Sequence, residues 1–118
     1  MIVIYGLKNC DSCRKAVKLV EAGGAAHRFH DLRADGLPAD RLRLWLGRVG
    51  ADTLVNRRST TWRELSEAER SAAGGGAVAA LLTRHPTLIK RPVIEAGDSL
   101  IVGLAPAQQA ALKELARG

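Results

Sequence analysis

The spacing of apolar and polar positions predicts a strand, a helix and a second strand in the first 31 residues. Residues 1–5 form a continuous apolar, β-branched run that ends at Gly6, which predicts a buried strand. From Asp11 to Glu21 the apolar residues recur at helical spacing, on one face formed by Cys13, Ala16, Val17 and Val20. Residues 26–31 predict a second strand, so the chain opens with a βαβ unit.

The middle of the chain carries helical signals. Pro38 stands where the first turn of a helix tolerates proline, and an apolar stripe follows it as far as Gly50. Two segments have the capping-box pattern, Thr61-x-x-Glu64 and Ser66-x-x-Glu69. A further helix over 77–84 is closed by Pro86. These signals predict that residues 36–86 are a helical insertion.

Strand signals return near the end of the chain. Residues 93–95 and 100–102 flank a turn at Ala96-Gly97-Asp98, which predicts a hairpin. Pro106 opens a last helix, whose predicted apolar face consists of Ala107, Ala110, Ala111 and Leu115. The order is β-α-β, helices, β-β-α. We therefore predict an α/β fold in one domain, residues 1–118, with a core of residues 1–35 and 87–118.

Composition narrows the possible partners. The 118 residues are 47% hydrophobic and 25% charged, which is typical of a globular protein. No apolar run reaches membrane-spanning length, and Met1–Gly6 lacks the features of a secretory signal, so we expect a cytoplasmic protein without a membrane anchor. The net charge is +6, and 13 of the 18 basic residues are arginine. Because the basic residues are scattered and aromatics are only 3%, the charge favours small anions or an acidic partner over direct DNA binding.

The two cysteines, Cys10 and Cys13, carry the candidate chemistry. A loop this short gains little as a structural staple, so the C-x-x-C pattern indicates redox chemistry or half of a zinc site. Zinc would need two further ligands, for which the candidates beyond carboxylates are His27, His30 and His85, and we expect no metal.

Cys10 follows the first strand and stands at or next to the start of the first helix. Unpaired backbone N–H groups and the helix dipole favour a thiolate there, and Lys8 and Arg14 add positive potential. Cys13 lies one turn further, on the apolar face. We therefore expect Cys10 to attack and Cys13 to be able to resolve a mixed disulfide. The competing interpretation is that both are small buried residues.

Three segments together resemble a known family. Residues 5–13 (YGLKNCDSC), 57–63 (RRSTTWR) and 88–92 (LIKRP) are similar, in order and spacing, to the landmarks of the arsenate reductase ArsC/Spx/YffB family. The likeness covers almost the whole chain and is greatest to the YffB branch. It implies a thioredoxin-like fold interrupted by a helical insertion.

The resemblance also implies roles for individual residues. Cys10 takes the place of the nucleophilic cysteine, Arg91 that of an arginine that holds an oxyanion, and Pro92 that of a cis-proline beside the cysteine. Arg58 matches a second arginine, with Arg57 as the alternative if the alignment shifts by one residue. In the nucleophile loop, Lys8 and Asn9 are further candidates for binding the anionic substrate.

Two positions depart from the arsenate reductases of this family. Gly6 stands where those enzymes have a histidine, and Gly103 where they have a third anion-binding arginine. Fewer guanidinium groups weaken a site for a trianion, which argues against arsenate as the substrate. Cys13 is also additional, and in this it is similar to the Spx branch.

Two functions follow as hypotheses. The first is a thiol oxidoreductase with no tightly bound cofactor, in which Cys10 attacks and glutathione or a glutaredoxin returns the electrons. Arg58 and Arg91 would hold the anionic groups, in a cleft between core and insertion. The alternative is an Spx-like regulator that senses oxidation through Cys10–Cys13 and binds RNA polymerase.

Overall fold

The computed structural model describes residues 1–117, and within them four strands and seven α-helices follow one another in the predicted order. In chain order they are β1 Ile2–Gly6, α1 Asp11–Gly23, β2 His27–Asp31, α2 Ala39–Val49, α3 Ala51–Leu54, α4 Thr60–Glu64, α5 Glu67–Ala72, α6 Val78–Arg84, β3 Val93–Ala96, β4 Ser99–Val102 and α7 Pro106–Ala116. A short 3₁₀ turn at Pro86–Leu88 follows α6. The chain divides into two compact units, Leu37–Lys90 and the remainder.

The first unit contains Met1–Gly36 and the chain from Arg91 onward, and it is built on one sheet. The strand order is β2-β1-β3-β4, with β1 parallel to β2 and antiparallel to β3. The β3–β4 hairpin turns at Gly97, which has a φ of 58°. This βαβ unit joined to a ββα unit is a thioredoxin-like core, as the resemblance implied.

Helices α1 and α7 cover this sheet and bury its apolar residues. The core comprises Ile2, Ile4, Ala16, Val20, Ile94, Ile101, Leu112 and Ala116. The face predicted for α1 is confirmed. Of the four residues predicted for the α7 face, Leu115 packs against the core, but the three alanines do not. Leu112 and Ala116 are buried, while Ala107, Ala110 and Ala111 are exposed. Alanine is a weak indicator of the buried face because its side chain is small. Burying Leu112 removes more apolar surface from water than burying an alanine does, so the helix turns Leu112 toward the sheet.

The second unit packs short helices around Trp45, Leu54, Leu81 and Leu82, each with no exposed surface. It also contains a β-bridge between Val55 and Ile89, flanked by hydrogen bonds from Asn56 N to Leu88 O (2.7 Å) and from Lys90 N to Leu54 O (2.8 Å). Because these bonds tie residues 88–90 to the helical unit, it ends at Lys90 and not at residue 86 as predicted.

One of the two predicted capping boxes is present. Ser66 caps α5, its hydroxyl accepting from Glu69 N at 3.2 Å while Glu69 Oε1 accepts from Ser66 N at 3.3 Å. The box predicted at Thr61 is wrong, because α4 begins earlier and Ser59 caps it by accepting from Trp62 N at 3.1 Å. The Thr61 hydroxyl instead shares a 2.7 Å hydrogen bond with that of Thr87.

Candidate functional site

Cys10 is the N-cap residue of α1. Its backbone is extended, with φ −99° and ψ 120°, and its carbonyl oxygen accepts the first helical hydrogen bond from Arg14 N at 3.0 Å. Before the helix, Cys10 N donates a hydrogen bond to Leu7 O (3.2 Å), which closes a tight turn. The side chain is half-buried, so solvent reaches a sulfur that stands beside the unpaired N–H groups of the first helical turn.

Cys13 lies one turn further along α1 and has no exposed surface. Burial raises its pKa to about 12, and the hydrogen bond and charge of Cys10 act in the same direction. A backbone hydrogen bond from Leu7 and the positive charge of Arg91 lower that pKa by less. At neutral pH, Cys13 is therefore a thiol that solvent does not reach and that shares a hydrogen bond with the Cys10 side chain. Both cysteines are free.

Gly6, at the end of β1, makes room for the Cys13 thiol. A β-carbon built on Gly6 would overlap Cys13 Sγ and would come within 3.1 Å of Cys13 Cβ. Any side chain at position 6 would therefore displace the thiol. A histidine at position 6 and a cysteine at position 13 would therefore compete for the same space, which links the glycine at position 6 to the second cysteine.

Asp31, at the end of β2, holds the loop that precedes Cys10, and the spacing of residues along the chain did not predict this role. Its Oδ1 accepts from Arg33 N (2.8 Å) and Ala34 N (2.9 Å). The carboxylate also accepts a hydrogen bond from Lys8 N, and these backbone donors, Ala34 first, lower the pKa of Asp31. Gly6 and Asp31 are paired residues of adjacent parallel strands, so one buried carboxylate ties together the loops that follow both strands.

A sequence signal for Asp31 does exist. An aspartate that accepts from the amides two and three residues later forms an Asx turn, a common ending for a strand. The contact with Lys8 depends on strand pairing, which spacing along the chain does not reveal.

Arg91 and Pro92 begin the second part of the thioredoxin-like unit. The Arg91–Pro92 peptide bond is cis, which confirms the prediction made from the resemblance. Pro92 is buried, and its carbonyl oxygen accepts from Gly103 N at 2.8 Å. Arg91 is half-buried, and its charge acts on Cys13. Lys8 and Asn9 are exposed in the loop before Cys10. That these residues bind an anionic substrate stays a prediction.

Arg58 and its alternative Arg57 belong to the helical unit, where they differ in their contacts. Arg57 is engaged on two sides, by Asp52 Oδ1 at 3.3 Å and by the Trp62 ring at 5.4 Å from its guanidinium carbon. Arg58 is exposed, and its backbone N–H donates to Asn56 Oδ1 at 3.1 Å. The two arginines and Lys90 line a cavity of about 620 Å³. Of the two, Arg58 is the better candidate for binding an anion.

The three histidines make local contacts. His27 Nδ1 lies 3.0 Å from Ala25 O, His30 Nε2 lies 2.7 Å from Gly36 O, and His85 Nε2 lies 2.9 Å from Glu69 Oε2. Within residues 1–117, no three His, Cys, Asp or Glu side chains are grouped closely enough to bind a metal ion. Over the same residues, no helix has the length and apolar character needed to cross a bilayer.

Known proteins resemble this chain over nearly its whole length. An uncharacterised protein of Haemophilus influenzae is 41% identical over 103 residues, covering 87% of this chain and 90% of its own. A solved structure titled YffB protein superposes with a TM-score of 0.85 at 36% identity, covering 95% of this chain and 98% of its own. An arsenate reductase-related protein from Brucella melitensis gives 0.73 at 40% identity, with coverage of 93% and 92%.

More distant relatives include global transcriptional regulators named Spx, such as that of Lactiplantibacillus plantarum. It is 24% identical over 105 residues, which are 87% of this chain and 79% of its own. The sequence profile of the ArsC family matches residues 5–112, which contain the paired cysteines, Arg58 and the cis-proline. The chain therefore belongs to the ArsC family.

Proposed function

We propose that this protein is a thiol oxidoreductase in which Cys10 attacks an oxidised sulfur substrate and glutathione or a glutaredoxin supplies the electrons. The observation that carries the proposal is the asymmetry of the two thiols. Cys10 is accessible at a helix N-terminus, whereas Cys13 is fully buried and its pKa is raised to about 12. Cys10 is thus available to attack a substrate, whereas Cys13 is buried and protonated until it acts on a mixed disulfide at Cys10.

The first step is a thiol–disulfide exchange. The Cys10 thiolate attacks a sulfur of a disulfide, forming a new S–S bond at Cys10 and releasing the other half as a thiolate. Cys13 shares a side-chain hydrogen bond with Cys10, which stands at the N-terminus of α1.

The cycle closes when a second thiolate attacks the mixed disulfide. In the first route, glutathione or a glutaredoxin attacks the substrate-derived sulfur that is bonded to Cys10. The attacking sulfur and this sulfur leave together as a new disulfide, and Cys10 is released as a thiolate. If Cys13 attacks Cys10, it first loses its proton and the glutathionyl group departs as a thiolate, leaving a Cys10–Cys13 disulfide for an external dithiol to reduce. The first route consumes one external thiol, which leaves in a disulfide with the retained half of the substrate. The second route oxidises the thiols of Cys10 and Cys13, and the external dithiol supplies the two electrons that restore them.

Two positions support a substrate other than arsenate. Gly6 has no room for a side chain while Cys13 is in place. Gly103 has a φ of 84°, a left-handed conformation that an arginine rarely adopts. A guanidinium binds a carboxylate through forked hydrogen bonds, so Arg91 in the first unit and Arg58 in the second are each, taken separately, suited to a carboxylate-bearing substrate.

Intact-mass spectrometry after treatment with glutathione disulfide tests the proposal. We expect Cys13→Ser to accumulate one glutathionyl group, on Cys10, that reduced glutathione removes. We expect Cys10→Ser to remain unmodified. Modification of Cys13 in the Cys10→Ser variant at the wild-type rate would contradict the assignment.

Two further measurements, a turnover assay and an affinity column, separate the enzyme from the regulator. An enzyme reduces a small glutathione mixed disulfide catalytically, with turnover that is lost in Cys10→Ser. An Spx-like regulator would instead retain RNA polymerase on an affinity column in a manner that depends on the oxidation of Cys10–Cys13, and would show no turnover. That pair of results would replace the proposed enzyme with the regulatory alternative.

A further inference from the structure

A groove runs along α1 on the side of the edge strand β2, and no role has been given to it above. Its floor is apolar and consists of half-buried Leu7, Val17 and Phe29 with buried Cys13. Its volume is about 320 Å³, at the small end of the range for ligand sites. A concave apolar surface with a few polar groups at its rim is the usual form of a small-molecule site.

The rim of the groove is strongly asymmetric in charge. Lys8, Arg14 and Lys18 line it from the nucleophile loop through the second turn of α1, and Glu21 lines it further along the helix. Arg14 also pairs with exposed Asp11 at 3.2 Å, an interaction that water largely screens. Along the helix axis Arg14 lies about 10 Å from Glu21, and Lys18 lies about 4.5 Å from it. The basic end therefore lies next to the helix N-terminus, where the dipole adds to the positive potential.

We infer that this groove binds a small amphiphilic anion, namely an aliphatic or aromatic carboxylate of about the size of octanoate. The apolar body would lie on Val17 and Phe29 and cover Cys13, and the carboxylate would lie among Lys8, Arg14 and Lys18. The volume limits the ligand to a small molecule, the floor requires an apolar body, and the rim requires negative charge at one end. The inference does not depend on the reaction proposed for Cys10.

The probe is sodium octanoate, titrated into the reduced full-length protein and followed by amide chemical shifts. We expect saturable shifts at Leu7, Val17 and Phe29. The neutral analogue 1-octanol should bind more weakly. Lys18→Glu should weaken octanoate binding by about fivefold, because it removes one cation and adds a repulsive charge. Lys15→Glu is the matched control, since Lys15 is equally basic and exposed on α1 but does not line the groove.

Three results would overturn the inference. Octanoate that shifts no groove residue at millimolar concentration shows that the groove is not such a site. Equal loss of affinity in Lys15→Glu and Lys18→Glu shows attraction to net charge alone. Groove shifts that depend on protein concentration and not on octanoate show a self-association surface instead.

Discussion

At the scale of single residues, the space inside the β1–α1 corner is shared between Gly6 and Cys13. The Cys13 thiol occupies the volume that a side chain at position 6 would need. Because protein interiors are close-packed, the two residues should be energetically coupled.

We predict that Gly6→Ala lowers the free energy of unfolding by about 1–3 kcal/mol, the usual cost of overpacking a core. In a Cys13→Ala background the same change should cost less, because the clashing sulfur is gone. Gly47→Ala is the control, since nothing lies within 4 Å of a β-carbon at Gly47, in the interior of α2. That change should stabilise the protein by up to about 1 kcal/mol. Urea unfolding of the four variants and wild type measures the cycle, and an undiminished cost in the Cys13→Ala background would contradict it.

Asp31 provides a second prediction at the same scale. Its carboxylate accepts backbone hydrogen bonds from the loops that follow β1 and β2, so Asp31→Ala removes the charged acceptor of three backbone N–H groups. We expect a loss of about 1.5–3 kcal/mol in stability and faster amide exchange at Lys8, Arg33 and Ala34. Asp98→Ala, at an exposed turn residue, serves as the control and should change neither. Unchanged exchange at Lys8 in Asp31→Ala would show that the carboxylate does not hold the nucleophile loop.

At the scale of elements, helix α5 depends on a carboxylate that serves two partners. Glu69 completes the capping box with Ser66 and accepts a hydrogen bond from His85 at 2.9 Å. The His85 hydrogen bond, followed by that of Ser66 N, lowers the pKa of Glu69 below its ordinary value. The folded protein therefore binds a proton at this site less readily than the unfolded chain does.

The sign of the pH effect follows from this shift. A carboxylate with a lowered folded-state pKa stabilises the protein above the ordinary glutamate value of about 4.3, and the stabilisation disappears as the pH falls through the folded value. We predict that Glu69→Gln is less stable than wild type at pH 7 and that the difference shrinks below about pH 4. Glu67→Gln, exposed in the same helical turn, should show no such trend. Thermal unfolding across the pH range measures both, and a difference that persists at pH 3 would refute the linkage.

The sequence predicted elements more reliably than it predicted their edges. Strand and helix order follows from local spacing, and Ser66 with Glu69 is a local signal that the structure confirms. The prediction of a cap at Thr61 was wrong because Ser59, two residues earlier, caps the same helix. The predicted end of the helical unit differs from the observed one, Lys90, because that end depends on the Val55–Ile89 bridge. The two partners of this bridge lie 34 residues apart in the sequence.

At the scale of the whole molecule, the candidate site draws on residues far apart in the chain. Cys10 and Cys13 were predicted from their own spacing, and Arg58, Arg91 and the cis-proline only from resemblance to a family. Asp31 was missed because its contact with Lys8 exists only once β1 and β2 are paired. Chemistry that one segment contains is thus visible in the sequence, whereas chemistry assembled by strand pairing is not.

We predict that Arg91→Ala and Arg58→Ala each weaken glutathione binding by about 1.5–3 kcal/mol, the value of a hydrogen bond to a charged group. The melting temperature should change little in Arg58→Ala, because Arg58 is exposed and exposed charges contribute little to stability. Arg63→Ala is the control for Arg58, since Arg63 is also exposed in the helical unit but lies outside the cavity that Arg58 lines. Calorimetric titration measures the affinities. Loss of stability with retained affinity would show that Arg58 and Arg91 are structural.

The central claim is that Cys10 is the reactive thiol and Cys13 the protected one. The most direct measurement is the rate of alkylation of each cysteine by iodoacetamide in the native, reduced protein at pH 7, resolved by peptide mapping. Because burial raises the pKa of Cys13 to about 12, Cys13 is protonated at pH 7, and its side chain has no exposed surface. We expect Cys10 to react at least about 100-fold faster than Cys13, with Cys13 modified only after unfolding. Equal rates, or faster modification of Cys13, would contradict the account.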